Sequence, residues 1–198
     1  MADISLQGFS AQLVRGASRP NLFEVVLNPN GGAGATVGTG AATATAFGST
    51  GDSTRKLAFL CKGTQIPAST IGVIPVPFRG RQMKIAGDRT FADWTITVIN
   101  DHDWELRHQF DLWSNRINNL QSNFSARGSA APSVENYMTD GTINHLGRDG
   151  EITATYILKG CWPSEVAAID LSYDSTDAVE EFTVTLSYQH WEIGAAQL

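Results

Sequence analysis

The chain has 198 residues, of which 42% are hydrophobic and only 17% are charged, below the roughly 25% charged residues of typical soluble domains. Its formal net charge of -6 opposes the attraction to phosphate backbones on which non-specific DNA binding depends, although it would let DNA pass close by without adsorbing. The N-terminus lacks the basic and apolar blocks of a signal peptide, and no apolar run reaches the roughly 18 residues that span a bilayer. We therefore expect a soluble, cytoplasmically made protein without a membrane partner.

The first third of the chain combines one apolar run with a long stretch of small residues. Residues 21–28 are bounded by Pro20 and Pro29 and predict a strand. Residues 30–54 consist largely of Gly, Ala, Thr and Ser, which bury too little apolar surface to offset their ordering entropy. We interpret this stretch as a surface insertion in a single domain that spans residues 1–198.

The next segment reads as extended chain. Residues 57–66 predict a strand that Pro67 stops. Because prolines at positions 75 and 77 have no N–H to donate, residues 71–78 are confined to a sheet edge or a connector. Gly87 and Asp88 are turn formers between two extended runs, so we predict a hairpin over residues 81–100.

A helix begins after Asp101, whose carboxylate is suited to capping free N–H groups. Large apolar residues then recur at steps of three and four, which indicates one buried stripe on an amphipathic helix: Leu106, Phe110, Trp113, Ile117, Leu120 and Phe124. Strands are predicted again over 151–161, 166–173 and 181–193. The fold class is therefore mainly β, an antiparallel β-sandwich or barrel with one flanking amphipathic α-helix.

Three features could suggest chemistry, and each has a simpler interpretation. The glycines from Gly32 to Gly38 are not followed by helical periodicity, so a nucleotide loop is disfavoured. Helix capping explains the acidic residues around His102 better than metal binding does, since no paired ligand spacing supports them. Cys61 and Cys161 stand far apart in apolar stretches, which favours buried thiols over a disulfide or a nucleophile. The sequence predicts no catalytic activity, metal or cofactor.

Two charged clusters are candidate contact sites. The basic cluster could bind phosphate, but its spacing along extended chain favours salt bridges between subunits: Arg79, Arg81, Lys84 and Arg89. The acidic cluster is typical of a solvated loop between strands, unless assembly places it elsewhere: Asp170, Asp174, Asp177, Glu180 and Glu181.

Several phrases of the sequence are specific enough to carry a family resemblance. The longest is Ala86-Gly-Asp-Arg-Thr-Phe-Ala-Asp-Trp-Thr-Ile-Thr-Val-Ile-Asn-Asp101. Others precede and follow it in the same order: Arg19–Val25, Phe59–Lys62, Ile66–Ala68, Ile74–Val76, Lys159–Pro163, Asp174–Ser175, Phe182–Leu186 and Trp191–Glu192. In these stretches the chain resembles the tail tube proteins of contractile-tailed bacteriophages. Residues 30–54 depart from the pattern, in which a short turn is expected.

The resemblance implies a structural virion protein that is not an enzyme. Its subunits would form hexameric rings with one continuous inner β-barrel, stacked into a hollow tube that conducts DNA. Implied partners are the chain itself, the sheath, baseplate and tail terminator proteins, and the tape measure protein and DNA in the lumen, bound without sequence specificity. Assembly would occur in the host cytoplasm, and the acidic cluster would face the lumen. The alternative is the inner tube of a phage-derived contractile injection system or tailocin.

Overall fold

The structure is a computed structural model, and it describes residues 9–11, 17–28, 51–122 and 137–194. The described residues include the helices α1 (Gly51–Leu60) and α2 (Glu105–Ile117), and residues 9–11 are also helical. The strands are β1 (Phe23–Asn28), β2 (Cys61–Thr64), β3 (Ser69–Phe78), β4 (Arg81–Phe91), β5 (Trp94–Ile99), β6 (Thr139–Leu146), β7 (Ile152–Val166), β8 (Glu181–Ser187) and β9 (His190–Ile193). No helix in the described ranges is long and apolar enough to cross a membrane.

Seven strands form an antiparallel sheet in the order β1-β6-β7-β8-β5-β2, with β9 added to β7. The long strand β7 pairs with different strands along its length. Its first part pairs with β6 and β9, and its end pairs with β8. Between the two halves lies Gly160 at φ 69°, a left-handed conformation that glycine adopts without strain. The sheet therefore folds over at this point and encloses a core, which confirms the predicted mainly β, antiparallel class.

The core is built from strands with strict alternation and from one helix face. In β5 and β8 every second side chain is buried, as the alternation of bulky residues with threonine predicts. Helix α2 covers this layer with Leu106, Phe110 and Trp113, all at most 1% exposed. The Phe110 ring lies 6.2 Å from the Phe182 ring in an edge-to-face arrangement. Helix α2 thus covers one side of the core.

Helix α2 is shorter than the apolar stripe predicts. It ends at Ile117, Leu120 is 89% exposed, and Phe124 lies outside the described residues. The Asn115 and Asn119 side-chain amides accept hydrogen bonds from backbone N–H groups of residues 120–122 at 2.9–3.0 Å. These asparagines offer the backbone partners outside the helix and so compete with its continuation.

The strand predicted over 57–66 is wrong for its first half, where α1 occupies Gly51–Leu60 before β2 begins. Short apolar runs fit both structures, and helical burial of Ser53 and Leu57, with Lys56 contacting Glu105 of α2, decides for the helix. This helix also enters the predicted insertion at Gly51, and residues 29–50 lie outside the described residues.

The hairpin predicted over 81–100 is also wrong in its pairing. Strand β4 runs unbroken through Gly87 and pairs with β3, while β5 belongs to the main sheet. A Cβ at Gly87 would lie 3.2 Å from the Gly72 carbonyl oxygen, so this glycine allows close strand approach and is not a turn. The strand predicted over 166–173 is wrong as well, since β7 ends at Val166 and residues 167–180 contain no strand. Strand β6 was not predicted from the sequence.

Candidate inter-subunit surface

The hairpin formed by β3 and β4, residues 69–91, projects from the folded sheet. Its strands are joined by a two-residue turn at Arg79 and Gly80, with φ of 42° and 84°. Positive φ at both central residues is the hairpin turn that matches the right-handed twist of the strands. The base contacts the rest of the molecule through Tyr188, whose hydroxyl donates to the Ala92 carbonyl at 2.8 Å and whose ring lies 6.1 Å from the Phe91 ring.

One face of the hairpin is apolar and uncovered. The register opposes Phe78 to Arg81, and successive pairs alternate between the two faces. The side chains on the Phe78 side, which we call the apolar face, are all exposed, and all but one arginine are large and apolar: Ile74, Val76, Phe78, Arg81, Met83 and Ile85. Phe78 is 67% exposed and Met83 60% exposed. Such a contiguous patch is typical of an interaction surface.

The two long edges of the hairpin differ in their hydrogen-bonding capacity. Pro75 and Pro77 pair with Lys84 and Gln82, at positions where the strand groups point away from the partner strand. Without N–H groups there, the outer edge of β3 cannot donate at these two positions. Strand β4 contains no proline, so its outer edge keeps all its donors. Among the described residues, β4 pairs only with β3.

The four basic candidates all lie on this hairpin and are exposed. Arg79 and Arg81 flank the tip, and the Arg79 guanidinium lies 5.5 Å from the Phe78 ring centroid. Arg89 donates to the Ser69 hydroxyl at 3.0 Å. No acidic side chain of the described residues forms an ion pair with any of the four, Lys84 included.

The five acidic candidates fall into two groups. Glu180 and Glu181 sit at the start of β8, where Glu180 accepts a hydrogen bond from the Asn100 amide at 3.3 Å and Glu181 pairs with Lys62 at 2.5 Å. Asp170, Asp174 and Asp177 lie on the strandless segment 167–180, which we call the acidic segment, and are exposed. The structure thus places only the aspartates where an outside partner can reach them freely.

The residues considered for chemistry have structural roles. Asp101 Oδ1 accepts the Glu105 N–H at 3.2 Å, close to the predicted capping role, although the helix begins three residues later than expected. Lys56 and then Ser53 lower the pKa of Glu105 by hydrogen bonding to its carboxylate. Burial raises the pKa of the Cys161 thiol to about 12, which keeps it protonated and weakly nucleophilic at neutral pH.

Metal binding finds no support in the described residues. No group of three His, Cys, Asp or Glu side chains lies close enough there to hold an ion. Cys61 and Cys161 are both buried and unbonded to each other, as predicted. The apolar face was missed at the sequence level, although the alternation of Ile74, Val76 and Phe78 with prolines was a visible signal.

A family model described as phage tail tube protein matches residues 18–194. The chain belongs to the phage tail tube protein family. Tail tube protein gp19 of Enterobacteria phage T4 is 32% identical over 176 residues, covering 88% of this chain and 91% of that protein. The tail tube protein of Serratia phage KSP90 is 32% identical over 72% of this chain and 77% of that protein. The resemblance found in the sequence is confirmed.

Two solved structures share the fold at low sequence identity. A chain of the sheath–tube complex of an extracellular contractile injection system, PVC, in its extended state matches with a TM-score of 0.55 at 14% identity, over 94% of this chain and 97% of that chain. A chain of the anti-feeding prophage baseplate matches with a TM-score of 0.53 at 16% identity, over 70% and 83%. Identities this low establish the fold alone.

Proposed function

We propose that this chain is the tail tube subunit of a contractile phage tail, a structural protein that works by polymerising and not by catalysis. Its rings are hexameric, and they stack into a hollow tube that conducts DNA. The observation that carries the proposal is the β3–β4 hairpin of this family member, whose apolar face and complete outer strand edge have no partner among the described residues. An isolated two-stranded hairpin is marginal in water, so it gains its order from another copy.

The inner barrel of such a ring requires strands that pair across subunits. The outer edge of β4 is suited to this role because it retains its donors, whereas Pro75 and Pro77 remove two from the edge of β3. In a monomer this open edge would invite uncontrolled pairing, and ring closure satisfies it with a copy of the same chain. The outer edge of β4 can therefore pair with a neighbouring subunit, whereas the two prolines disfavour such pairing at the outer edge of β3.

The further partners follow from the position of a tube in a tail. The sheath surrounds it, baseplate and terminator proteins cap it, and the tape measure protein and then DNA occupy its lumen. The net charge of -6 supports passage of DNA without sequence-specific contacts, because like charges do not adsorb. The chain is a virion component assembled in the host cytoplasm, and we propose that all 198 residues form one domain.

The phage tail is preferred to the tube of a phage-derived injection device. The relatives at 32% identity are phage proteins, whereas the injection-system chains share the fold at 14–16% identity. The contents of tubes isolated from producing cells separate these functions. DNA-filled tubes joined to capsids support the phage tail, and free tubes that carry protein support the injection device.

The test of the proposed function uses the open edge of β4. Gln82 lies opposite Pro77, so its N–H points away from β3, and Gln82→Pro removes an outward donor without breaking the hairpin's own ladder. We expect the purified wild-type chain to form rings or tubes in negative-stain micrographs. The Gln82→Pro variant should remain a folded monomer.

The matched control is Gln82→Ala, which removes the same side chain and keeps the N–H. It should form tubes like the wild type. A wild-type chain that stays monomeric at high concentration, under every nucleating condition, overturns the proposed function. Tubes formed equally well by Gln82→Pro would exclude strand pairing through this edge.

A further inference from the structure

We propose that the apolar face of the hairpin in one copy packs onto the acidic segment, residues 167–180, of a neighbouring copy. The proposal rests on the self-assembly proposed above and specifies which two surfaces of the chain meet. Both surfaces are exposed in the single chain, and no hydrogen bond or ion pair among the described residues joins them.

The first reason is apolar complementarity. The acidic segment exposes large apolar side chains between its aspartates, with Leu171 79% exposed, Val179 67% exposed and Tyr173 fully exposed. Three large apolar side chains within nine positions of sequence are unfavourable in a solvated loop, and such a patch is typical of an interaction surface. Packed against the apolar face, they would remove both patches from water at once, which stabilises the contact in proportion to the area buried.

The second reason is charge. Residues 69–91 contain four basic side chains against the single acidic Asp88, and the acidic segment contains the exposed Asp170, Asp174 and Asp177 without any lysine or arginine. Arg81 lies on the apolar face itself, and Arg79 lies beside it at the tip. Complementary charge around an apolar centre fixes the orientation of an interface and disfavours other pairings.

The occupant is a second copy because each chain carries both halves of the contact. The two halves are different surfaces, so the contact runs head to tail and repeats from copy to copy, as rings and stacked tubes require. Strand β3 has ten residues, which in extended conformation span about 33 Å, so the exposed hairpin offers a long surface to another copy.

This placement differs from the sequence prediction that the acidic residues face the lumen. That prediction stays open for Glu180 and Glu181, which are held at the start of β8. For Asp170, Asp174 and Asp177 the two locations have opposite consequences. Lumen residues can reverse charge without loss of assembly, whereas interface residues cannot.

The experiment exchanges charges across the contact. One variant carries Arg79→Glu and Arg81→Glu, and a second carries Asp174→Lys and Asp177→Lys. Each alone should lose tubes in sedimentation and negative-stain microscopy, while circular dichroism stays that of the folded chain. An equal mixture of the two should recover tubes, because alternating copies restore opposite charges at every contact.

The matched control reverses two exposed charges on the turn before β7, Arg148→Glu with Asp149→Lys, and it should form tubes alone. The proposal is overturned if either interface variant assembles by itself, or if the mixture fails to recover tubes. Tubes from the Asp174→Lys, Asp177→Lys variant that also retain duplex DNA would instead place these residues in the lumen. If the wild type forms no tubes, the proposed function fails first and this inference with it.

Discussion

The sheet strand β5 and the hairpin strand β4 are neighbours along the chain, yet their surroundings are opposite. In β5 every second side chain is fully buried against the core, and Trp94, Ile96 and Val98 are 0% exposed. In β4 nearly every side chain is exposed, including Met83 and Ile85. The hairpin partner of β4, strand β3, is also almost wholly exposed, although it contains no charged residue and is, like β5, rich in apolar residues. Composition therefore does not decide where a strand finds its partners.

The two regions should contribute to different free energies, one to unfolding of the single chain and the other to association between copies. Substitutions in the folded seven-stranded sheet and the helices packed on it, which we call the sandwich, should change the free energy of unfolding of the single chain. Substitutions on the hairpin should change the free energy of association, because we propose that its partner surface lies on another copy. The following substitutions test that separation, and each one pairs a residue of the sandwich with a similar residue of the hairpin.

The largest effect is expected from removing a buried ring. Phe110 is fully buried between the rings of Trp113 and Phe182, and Phe110→Ala should destabilise the unassembled chain by about 3–5 kcal/mol in urea unfolding. Phe78→Ala makes the same change on the exposed apolar face. It should shift stability by no more than about 0.5 kcal/mol and yet reduce tube formation. Similar stability losses in both variants would mean that the hairpin is packed within its own chain.

A smaller effect is expected from adding one methyl group. A Cβ at Gly141 would lie 2.5 Å from Cζ3 of Trp94, whose indole is fixed by a 2.8 Å hydrogen bond to Thr64. Gly141→Ala should therefore cost about 1–3 kcal/mol through overpacking. At Gly87 the added methyl would meet Gly72 and Ile74 at 3.2 Å, and the uncovered hairpin can shift to accommodate it.

Thermal or urea unfolding of both glycine variants measures the difference. We expect the cost of Gly87→Ala to stay below about 1 kcal/mol. Gly63→Ala is the control for a sheet glycine with space, because its Cβ would meet Thr97 at an ordinary 3.9 Å. A Gly87→Ala variant as unstable as Gly141→Ala would contradict a freely adjusting hairpin.

The fold could be predicted from sequence where one face of an element is buried. The alternation in Glu181–Ser187 and the first three apolar positions of α2 identified strand and helix correctly. Prediction failed where the deciding contact is distant in sequence. The contacts of α1 with Glu105 favour a helix there. The sequence of β6 is largely polar, and its strand conformation depends on pairing with β1 and β7 on its two sides.

The candidate surface was predicted in part. The basic residues were placed correctly on an edge-like extended segment, but Gly87 was taken for a turn because nothing local distinguishes a turn glycine from one at a close strand approach. The acidic residues look uniform in sequence. Only the fold separates Glu181, which has Lys62 as a partner, from Asp174 and Asp177, which are exposed.

The smallest effect concerns charges. Glu105 of the sandwich accepts hydrogen bonds from Lys56 and Ser53, which lower its pKa below the ordinary 4.5, whereas Arg81 of the hairpin has no acidic partner among the described residues. A lowered carboxyl pKa adds stability above the unfolded value, and this stability is lost as the pH falls through the folded value. Glu105→Gln should therefore lower the urea midpoint at pH 7, and the difference from wild type should fade below pH 4.5. Arg81→Gln should leave the midpoint unchanged at both pH values, because the partner that we propose for it belongs to another copy. A midpoint shift for Arg81→Gln in the unassembled chain would place that partner within the same chain and so remove the distinction between the two regions.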